Sequence, residues 1–72
     1  MTLGKRIKTL RGQLRLNPTE FAALIGFREQ DIWRWESDRN VPNHEALLAI
    51  ADAGKTTVDW LLRGDPAEPA EV

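Results

Sequence analysis

The stretch that decides the fold is residues 18–36, PTEFAALIGFREQDIWRWE. It contains two short helical patterns joined by too few residues for an antiparallel pair, so the two helices must cross at a steep angle. Such a crossing needs a small side chain where the backbones approach, and a turn residue that accepts a positive φ. Ala22 and Gly26 meet these needs, and Ile32 is spaced to dock the second helix. This Ala-x3-Gly-x5-Ile pattern predicts a helix-turn-helix with apolar flanks at Phe21, Ile25, Phe27 and Trp35.

Helical patterns continue on both sides of this stretch. Before it, one apolar stripe is formed by Leu3, Ile7, Leu10 and Leu14. After it, Asn43 can cap a helix that ends at Gly54. Thr57 can cap a last short helix that is closed by Gly64. No alternation typical of strands is present, so the sequence predicts a compact all-α, five-helix fold with helices over about residues 2–15, 18–25, 29–37, 44–54 and 58–63.

The length and composition limit the function classes. The chain has 72 residues, no cysteine and 42% hydrophobic residues, which suits one small domain and excludes a multidomain enzyme. Without cysteine there is no disulfide framework and no thiolate ligand or nucleophile. No apolar run approaches the roughly 20 residues of a membrane span, and nothing at the start resembles an export signal. We therefore expect a cytoplasmic protein with no membrane association.

The charge is unevenly distributed along the chain. The formal net charge is -1, yet residues 1–19 contain five basic residues and no acidic one. Residues 65–72 carry three acids and too little apolar content to pack. We therefore expect a mildly basic helix-turn-helix domain over residues 1–64, followed by a disordered acidic tail over residues 65–72.

The chain resembles the Cro and phage-repressor type (XRE family) helix-turn-helix domains over about residues 3–64. The residues that carry the resemblance are Leu10-Arg11, Leu16-Asn17, Glu20-Phe21-Ala22, Ile25-Gly26, Ile32, Trp35-Glu36, Pro42, Leu47-Leu48-Ala49-Ile50-Ala51 and Asp59-Trp60-Leu61-Leu62. The resemblance implies a lambda-repressor-like fold that places its third helix in the major groove of double-stranded DNA. It further implies a small phage or mobile-element type repressor that binds a palindromic operator as a homodimer.

Two positions depart from the family pattern. Pro18 stands where the family commonly has a Gln that contacts DNA, which removes one usual contact. Arg28 stands before the third helix in place of Ser or Thr, and its cation can reach a phosphate.

The outward face of the third helix holds the candidate base contacts. Ile32 and Trp35 fix the inward side, which leaves Gln30, Trp33, Arg34 and Ser37 outside and Glu29 at the border. Gln30 can pair with adenine and Arg34 with guanine, while Glu29 can accept from cytosine. Trp33 is open to three interpretations, namely contact with DNA, an anchor for a protein partner, or packing over the second helix.

Other polar residues are assigned to the DNA backbone or to the fold. The candidate backbone contacts are Lys8, Arg15, Asn17, Arg28, Ser37 and, by resemblance, Arg39. Arg11 and Glu36 lie at facing borders of their helices and look like the internal ion pair of the family. For the dimer surface the candidates are Val58, Trp60 and Leu61, which can equally serve the core.

A second function class remains open, a protein-interaction module of antitoxin or adaptor type with Trp33 as its anchor. Pro18, the acidic pI and three acids near the third helix favour it, namely Glu29, Asp31 and Asp38. Catalysis has no support, because Ser37 and Thr57 have no base partner and His44 is the single histidine. No metal, cofactor or small-molecule ligand is expected.

Overall fold

The computed structural model describes residues 2–64, and within them five helices follow one another. Their bounds are α1 (Leu3–Gln13), α2 (Pro18–Ile25), α3 (Glu29–Glu36), α4 (His44–Gly54) and α5 (Val58–Arg63). No strand occurs in this part of the chain, so the predicted all-α class with five helices is confirmed. The predicted acidic tail, residues 65–72, lies outside the described residues.

Side-chain caps start four of the helices, and the predicted caps Asn43 and Thr57 are confirmed. Asn17 forms a reciprocal capping box with Glu20, since Oδ1 of Asn17 accepts from the Glu20 N–H at 2.8 Å and Oε1 of Glu20 accepts from the Asn17 N–H at 2.9 Å. Asn43 caps α4 and Thr57 caps α5, and each side chain accepts one hydrogen bond from the N–H of the third helical residue. Thr2 caps α1 and accepts from the N–H of Lys5 at 3.2 Å.

The first helix ends earlier than the apolar pattern predicts. The last helical residue is Gln13, because Arg15 adopts a left-handed conformation with φ of 59°. The N–H of Leu16 then turns back to the carbonyl oxygen of Arg11 at 3.3 Å. Leu14 therefore packs partly against the core from the end of the helix rather than from inside it.

Every helix supplies one fully buried large side chain to the core. These are Ile7, Phe21, Ile32, Ile50 and Leu61, from α1 to α5 in order. Burying such a side chain stabilises the fold by roughly 1.5–3 kcal/mol. Since no single helix dominates this set, the core forms only when all five helices are docked.

The predicted geometry of the α2–α3 turn is confirmed. Ala22 is buried at the crossing, and Gly26 ends α2 with φ of +81°. The N–H groups of Gly26 and Phe27 both reach the carbonyl oxygen of Ala22 at 2.9 Å. Phe27 then packs edge-on against Trp35, with 5.4 Å between ring centroids. Glycine is needed at position 26 because of its positive φ and not because of close packing, since an added Cβ would meet no atom within 4 Å.

Gly54 has a different role from the predicted one. The predicted end of α4 at Gly54 is confirmed, but Lys55 and not the glycine takes the left-handed position that follows, with φ of 54°. A Cβ on Gly54 would lie 2.6 Å from Cγ of Leu10 and would also clash with both of its methyl groups. Glycine is therefore needed at position 54 for the close approach of α4 to α1.

The last helix belongs to the core more than the sequence suggests. Leu61 is fully buried, so the expectation that it can form a dimer surface is wrong, and Val58 and Trp60 pack partly against the core. The carbonyl oxygens of Leu61 and Leu62 accept from the guanidinium of Arg6 at 2.7 and 3.0 Å. Arg6 is 6% exposed, and it ties α1 to the carboxyl end of α5.

An ion pair joins α1 to α3. Nε of Arg11 lies 2.6 Å from Oε2 of Glu36, and Nη2 lies 3.0 Å from Oε1, which makes the contact bidentate. The third branch, Nη1, donates to the carbonyl oxygen of Leu16 at 2.9 Å. The hydrogen bond to Glu36 raises the pKa of Arg11 above its ordinary value, against the opposing effect of burial. Both side chains are thus committed to the fold.

Two alanine substitutions test the packing of α1 and α4. Gly12 lies exposed inside α1 with open space around its Cβ position, so Gly12→Ala should stabilise the protein by about 0.5–1 kcal/mol through helix propensity. Gly54→Ala should destabilise it by about 1–3 kcal/mol, because Leu10 must move. Urea unfolding followed by tryptophan fluorescence measures both. Equal stability of the Gly54→Ala variant and the wild type would contradict the described approach of α4 to α1.

The ion pair can be tested against an exposed one. Glu36→Gln should lower the free energy of unfolding by about 1–3 kcal/mol, since a mostly buried guanidinium loses its charged partner. Asp59→Asn breaks the Arg63–Asp59 pair, whose side chains are 81% and 70% exposed, and should change stability by at most about 0.5 kcal/mol. Similar losses for the two variants would show that the Arg11–Glu36 pair adds nothing beyond a surface contact.

Candidate nucleic-acid interface

The outward face of α3 is exposed as its spacing predicts. Glu29, Gln30 and Arg34 lie at the surface, while Ile32 and Trp35 on the opposite side are buried. Trp33 is 62% exposed, so the interpretation that it packs over α2 as a core residue is wrong. A large apolar ring at this position is available to a partner.

Residues from three segments meet around this ring. Trp33 and Arg34 of α3 line a shallow groove together with Ser37 and Arg39, which follow the helix. A second depression shares Trp33 and Ser37 with it, and its lining is completed by Lys8 of α1 and by Glu36, whose carboxylate is paired with Arg11. We call these residues the Trp33 groove, namely Lys8, Trp33, Arg34, Ser37 and Arg39. The groove surrounds an exposed indole with three cations.

The neighbouring acids are engaged inside the molecule. Glu36 binds Arg11, and Asp38 accepts hydrogen bonds from Thr2 and Gly4. Oδ2 of Asp31 accepts from the N–H of Arg28 at 3.2 Å, which fixes the start of α3 although Arg28 itself offers no capping oxygen. Two of the three acids that favour a protein partner, Asp31 and Asp38, thus have structural roles. The net charge of -1 also counts the three acids of residues 65–72, whereas residues 1–64 hold ten basic and eight acidic residues.

The side chain of Arg34 is only weakly restrained. Its Nη1 lies 4.0 Å from Oδ1 of Asp31, one helical turn away, and the arginine side chain is 55% exposed. Such an exposed pair at i,i+3 is worth a few tenths of a kcal/mol, roughly, and it is easily exchanged for a stronger partner. Arg34 is therefore free to turn toward a bidentate acceptor.

The remaining backbone-contact candidates lie outside the Trp33 groove. Arg15 and Asn17 are exposed between α1 and α2, and Arg28 is exposed directly before α3. Oδ1 of Asn17 is used by the capping box, which leaves its NH2 group as a donor. Within the groove, the hydroxyl of Ser37 donates to the carbonyl oxygen of Trp33 at 2.8 Å, so donation to a phosphate requires this bond to break.

Sequence reasoning missed two residues that shape this region. Arg6 looks like one more cation of a basic helix, yet it is buried against the end of α5. Asp38 looks like a loop acid, yet it caps α1 from a distance of 34 residues along the chain. Neither role has a local signal, because each partner belongs to a helix that is remote in sequence.

Residues 2–64 offer neither a membrane span nor a metal site. No helix there is long and apolar enough to cross a membrane. No three acidic or histidine side chains in that range are grouped as a metal ion would need.

Comparison with known proteins gives one consistent result. A family model described as a helix-turn-helix domain matches residues 2–63. Repressor protein C2 of Salmonella phage P22 is 33% identical over 63 residues, which are 88% of this chain and 29% of the phage protein. The chain thus spans less than a third of the length of that relative, which is a repressor and not an enzyme.

Solved structures of the same phage repressor have the same fold. One is a crystal structure of the P22 c2 repressor with a synthetic operator, at 32% identity and a TM-score of 0.86, covering 90% of this chain and 98% of that one. Another is the solution structure of the DNA-binding domain of the P22 c2 repressor, at 30% identity and a TM-score of 0.85, covering 97% and 92%. The predicted lambda-repressor-like fold is confirmed, and the chain belongs to the helix-turn-helix domain family, among the domains of phage-repressor type.

Proposed function

We propose that this chain is a sequence-specific transcriptional repressor that binds double-stranded DNA with α3 in the major groove. The observation that carries the proposal is the exposed face of α3, where Trp33 and Arg34 lie between the cations Lys8 and Arg39. The likeness to a phage repressor domain bound to a synthetic operator supports it. Repression follows from covering a promoter, in the cytoplasm, without a catalytic step or cofactor.

The base contacts come from the amino-terminal and central part of α3. Gln30 offers an amide that can pair with adenine, and Arg34 a guanidinium that can pair with guanine. Glu29, at the first helical position, can accept from cytosine N4. Trp33 packs against a thymine methyl or the sugars. Each well-formed pair adds about 1–3 kcal/mol of discrimination.

The phosphate contacts come from the cations around the helix. Lys8 and Arg39 flank α3 within the Trp33 groove, and Arg28 lies before its first turn. In this proposal Arg15 and the NH2 group of Asn17, both exposed between α1 and α2, contact the strand on the side of α2. Such contacts fix the register of the protein on DNA without reading its sequence, and they make the affinity dependent on salt.

A homodimer on a palindromic operator completes the proposal. A single helix in one groove buries little surface. A dimer that contacts two half-sites about one helical turn apart binds more tightly, because both subunits hold the same duplex. Because Leu61 is part of the core, a dimer contact through α5 has to use the outer side of that helix, which includes the half-exposed Leu62.

Selection of binding sites from random duplex DNA at near-physiological salt tests the proposal. A recovered palindrome, with half-sites that α3 can read, is the expected result. If the folded protein enriches no sequence, specific DNA binding is ruled out.

Two substitutions separate base contacts from phosphate contacts. Arg34→Ala should relax the preference at one base pair, with a loss of about 1–3 kcal/mol on the selected site. Lys8→Ala should weaken all duplexes alike and lower the slope of log K against log salt by about 0.9. Fluorescence anisotropy on the selected and on scrambled duplexes measures both. An unchanged preferred site for Arg34→Ala would contradict the placement of α3 in the groove.

A protein partner is the second candidate function, and the exposure of Trp33 favours it. In that case the fold is kept, and Trp33 is the anchor of a largely dry contact. The two candidates differ in their response to salt, because counterion release makes DNA binding fall steeply with salt and a tryptophan-centred protein contact does not. Salt-independent capture of a protein through Trp33, without duplex binding, would favour this second function.

Residues 1–64 form the DNA-binding unit in this proposal. Truncation after Gly64 removes three acids, which repel phosphates, so the affinity for duplex DNA should stay the same or rise slightly. Anisotropy titrations of the full chain and the truncated chain at the same salt concentration compare the two. Loss of binding on truncation would instead assign residues 65–72 a part in the DNA-bound state.

A further inference from the structure

One side chain, Asp38, joins the first turn of α1 to the end of α3. Its Oδ2 accepts a hydrogen bond from Oγ1 of Thr2 at 2.7 Å, and its Oδ1 accepts one from the N–H of Gly4 at 2.9 Å. An N–H in the first turn of a helix has no partner within that helix, and the helix dipole favours a negative charge there. Asp38 thus completes the capping of α1, and we call its contacts with Thr2 and Gly4 the Asp38 clasp.

The clasp is part of the packing of α1 on α3. A Cβ on Gly4 would lie 2.7 Å from Oδ1 of Asp38 and 2.8 Å from the carbonyl oxygen of Glu36, and it would clash with the carbonyl oxygen of Trp35. Only glycine lets the backbone of α1 come this close to the last turn of α3. The carboxylate of Asp38 therefore meets its partners at a tightly packed junction.

The backbone of Asp38 also ends α3. Asp38 has a left-handed backbone with φ of 59°. Its N–H donates to the carbonyl oxygen of Trp35 at 3.1 Å, and the N–H of Arg39 donates to the carbonyl oxygen of Arg34 at 2.9 Å. This is the Schellman pattern of a helix end, in which glycine is the common residue at the left-handed position. Glycine would make the same turn without strain but could not form the clasp. The clasp is thus a contact of the Asp38 side chain that the turn itself does not require.

The Asp38 clasp is adjacent in the chain to the Trp33 groove. Arg39 follows Asp38 in the chain and lines the groove beside Trp33 and Arg34. We propose that Asp38 is a positioning residue of the DNA-binding surface, which fixes the course of the chain at Arg39 by clasping Thr2 and Gly4. Arg39 is then presented to a phosphate at low entropic cost. This inference rests on the proposed DNA-binding function.

A matched pair of cap variants tests the proposal without changing the charge. Thr2→Val removes the hydroxyl of the clasp and the cap of α1, whereas Thr57→Val removes the equivalent cap of α5 far from any clasp. Both variants should lower the melting temperature by similar amounts. Thr2→Val alone should weaken binding to the selected duplex, by about fivefold, and Thr2→Ser should restore it.

A double variant shows whether the clasp acts through Arg39. Arg39→Ala should weaken binding about tenfold and lower the salt slope by about 0.9. Thr2→Val combined with Arg39→Ala should bind no more weakly than Arg39→Ala alone, because the positioned group is already absent. Asp38→Gly keeps the turn but loses the clasp. It too should bind more weakly than the wild type, although removal of an acid near DNA by itself strengthens binding.

The outcomes separate this inference from the function on which it rests. Equal affinities of Thr2→Val and Thr57→Val, or additive losses for Thr2→Val and Arg39→Ala, would overturn the positioning role while leaving DNA binding in place. Absence of salt-dependent duplex binding by the wild-type protein would overturn the proposed function, and the positioning role with it.

Discussion

The tight turn between α2 and α3 is the constraint on which the rest of the structure depends. It requires a small residue at the contact, Ala22, and a left-handed turn, Gly26, with φ of +81°. Once these two helices are set, Ile32 and Trp35 enter the core and Trp33 must point outward. The other three helices then enclose the pair, each with one fully buried side chain. The exposed face of α3 is thus a consequence of the core and needs no separate stabilisation.

The net charge of this small domain does not describe how its charged groups are distributed over the surface. The net charge of -1 would disfavour a polyanionic partner if all charges were equally exposed. Instead, Glu36 is neutralised by Arg11 inside the fold, and the carboxylate of Asp38 is used at the amino end of α1. Lys8 and Arg39 stay at the surface beside Trp33. The placement of Lys8, Arg34 and Arg39 around Trp33 therefore lets a formally acidic chain present cations on this face.

The same contacts link stability to the proposed recognition surface. Arg11–Glu36 and the Asp38 clasp both tie α1 to the carboxyl end of α3, one near the carboxyl end of α1 and one at its amino end. The first helix, α1, thus holds α3 in position and also supplies Lys8. The orientation of the proposed DNA-reading side chains thus depends on residues that do not touch DNA, because a base contact requires a helix held to within a fraction of an ångström.

By itself, the sequence determined the five helices, the caps at Asn43 and Thr57, and the outward face of α3. Helical period, capping residues such as Asn17 and a positive-φ glycine such as Gly26 act within a few neighbouring residues, so they are readable along the chain. The tertiary structure alone decided that Gly54 serves close packing and that Asp38 caps α1. It also decided between the alternatives that the sequence left open for Leu61, which is fully buried, and for Trp33, which is 62% exposed. These outcomes depend on contacts between helices remote in sequence, and no local pattern specifies which side chains docking will bring together.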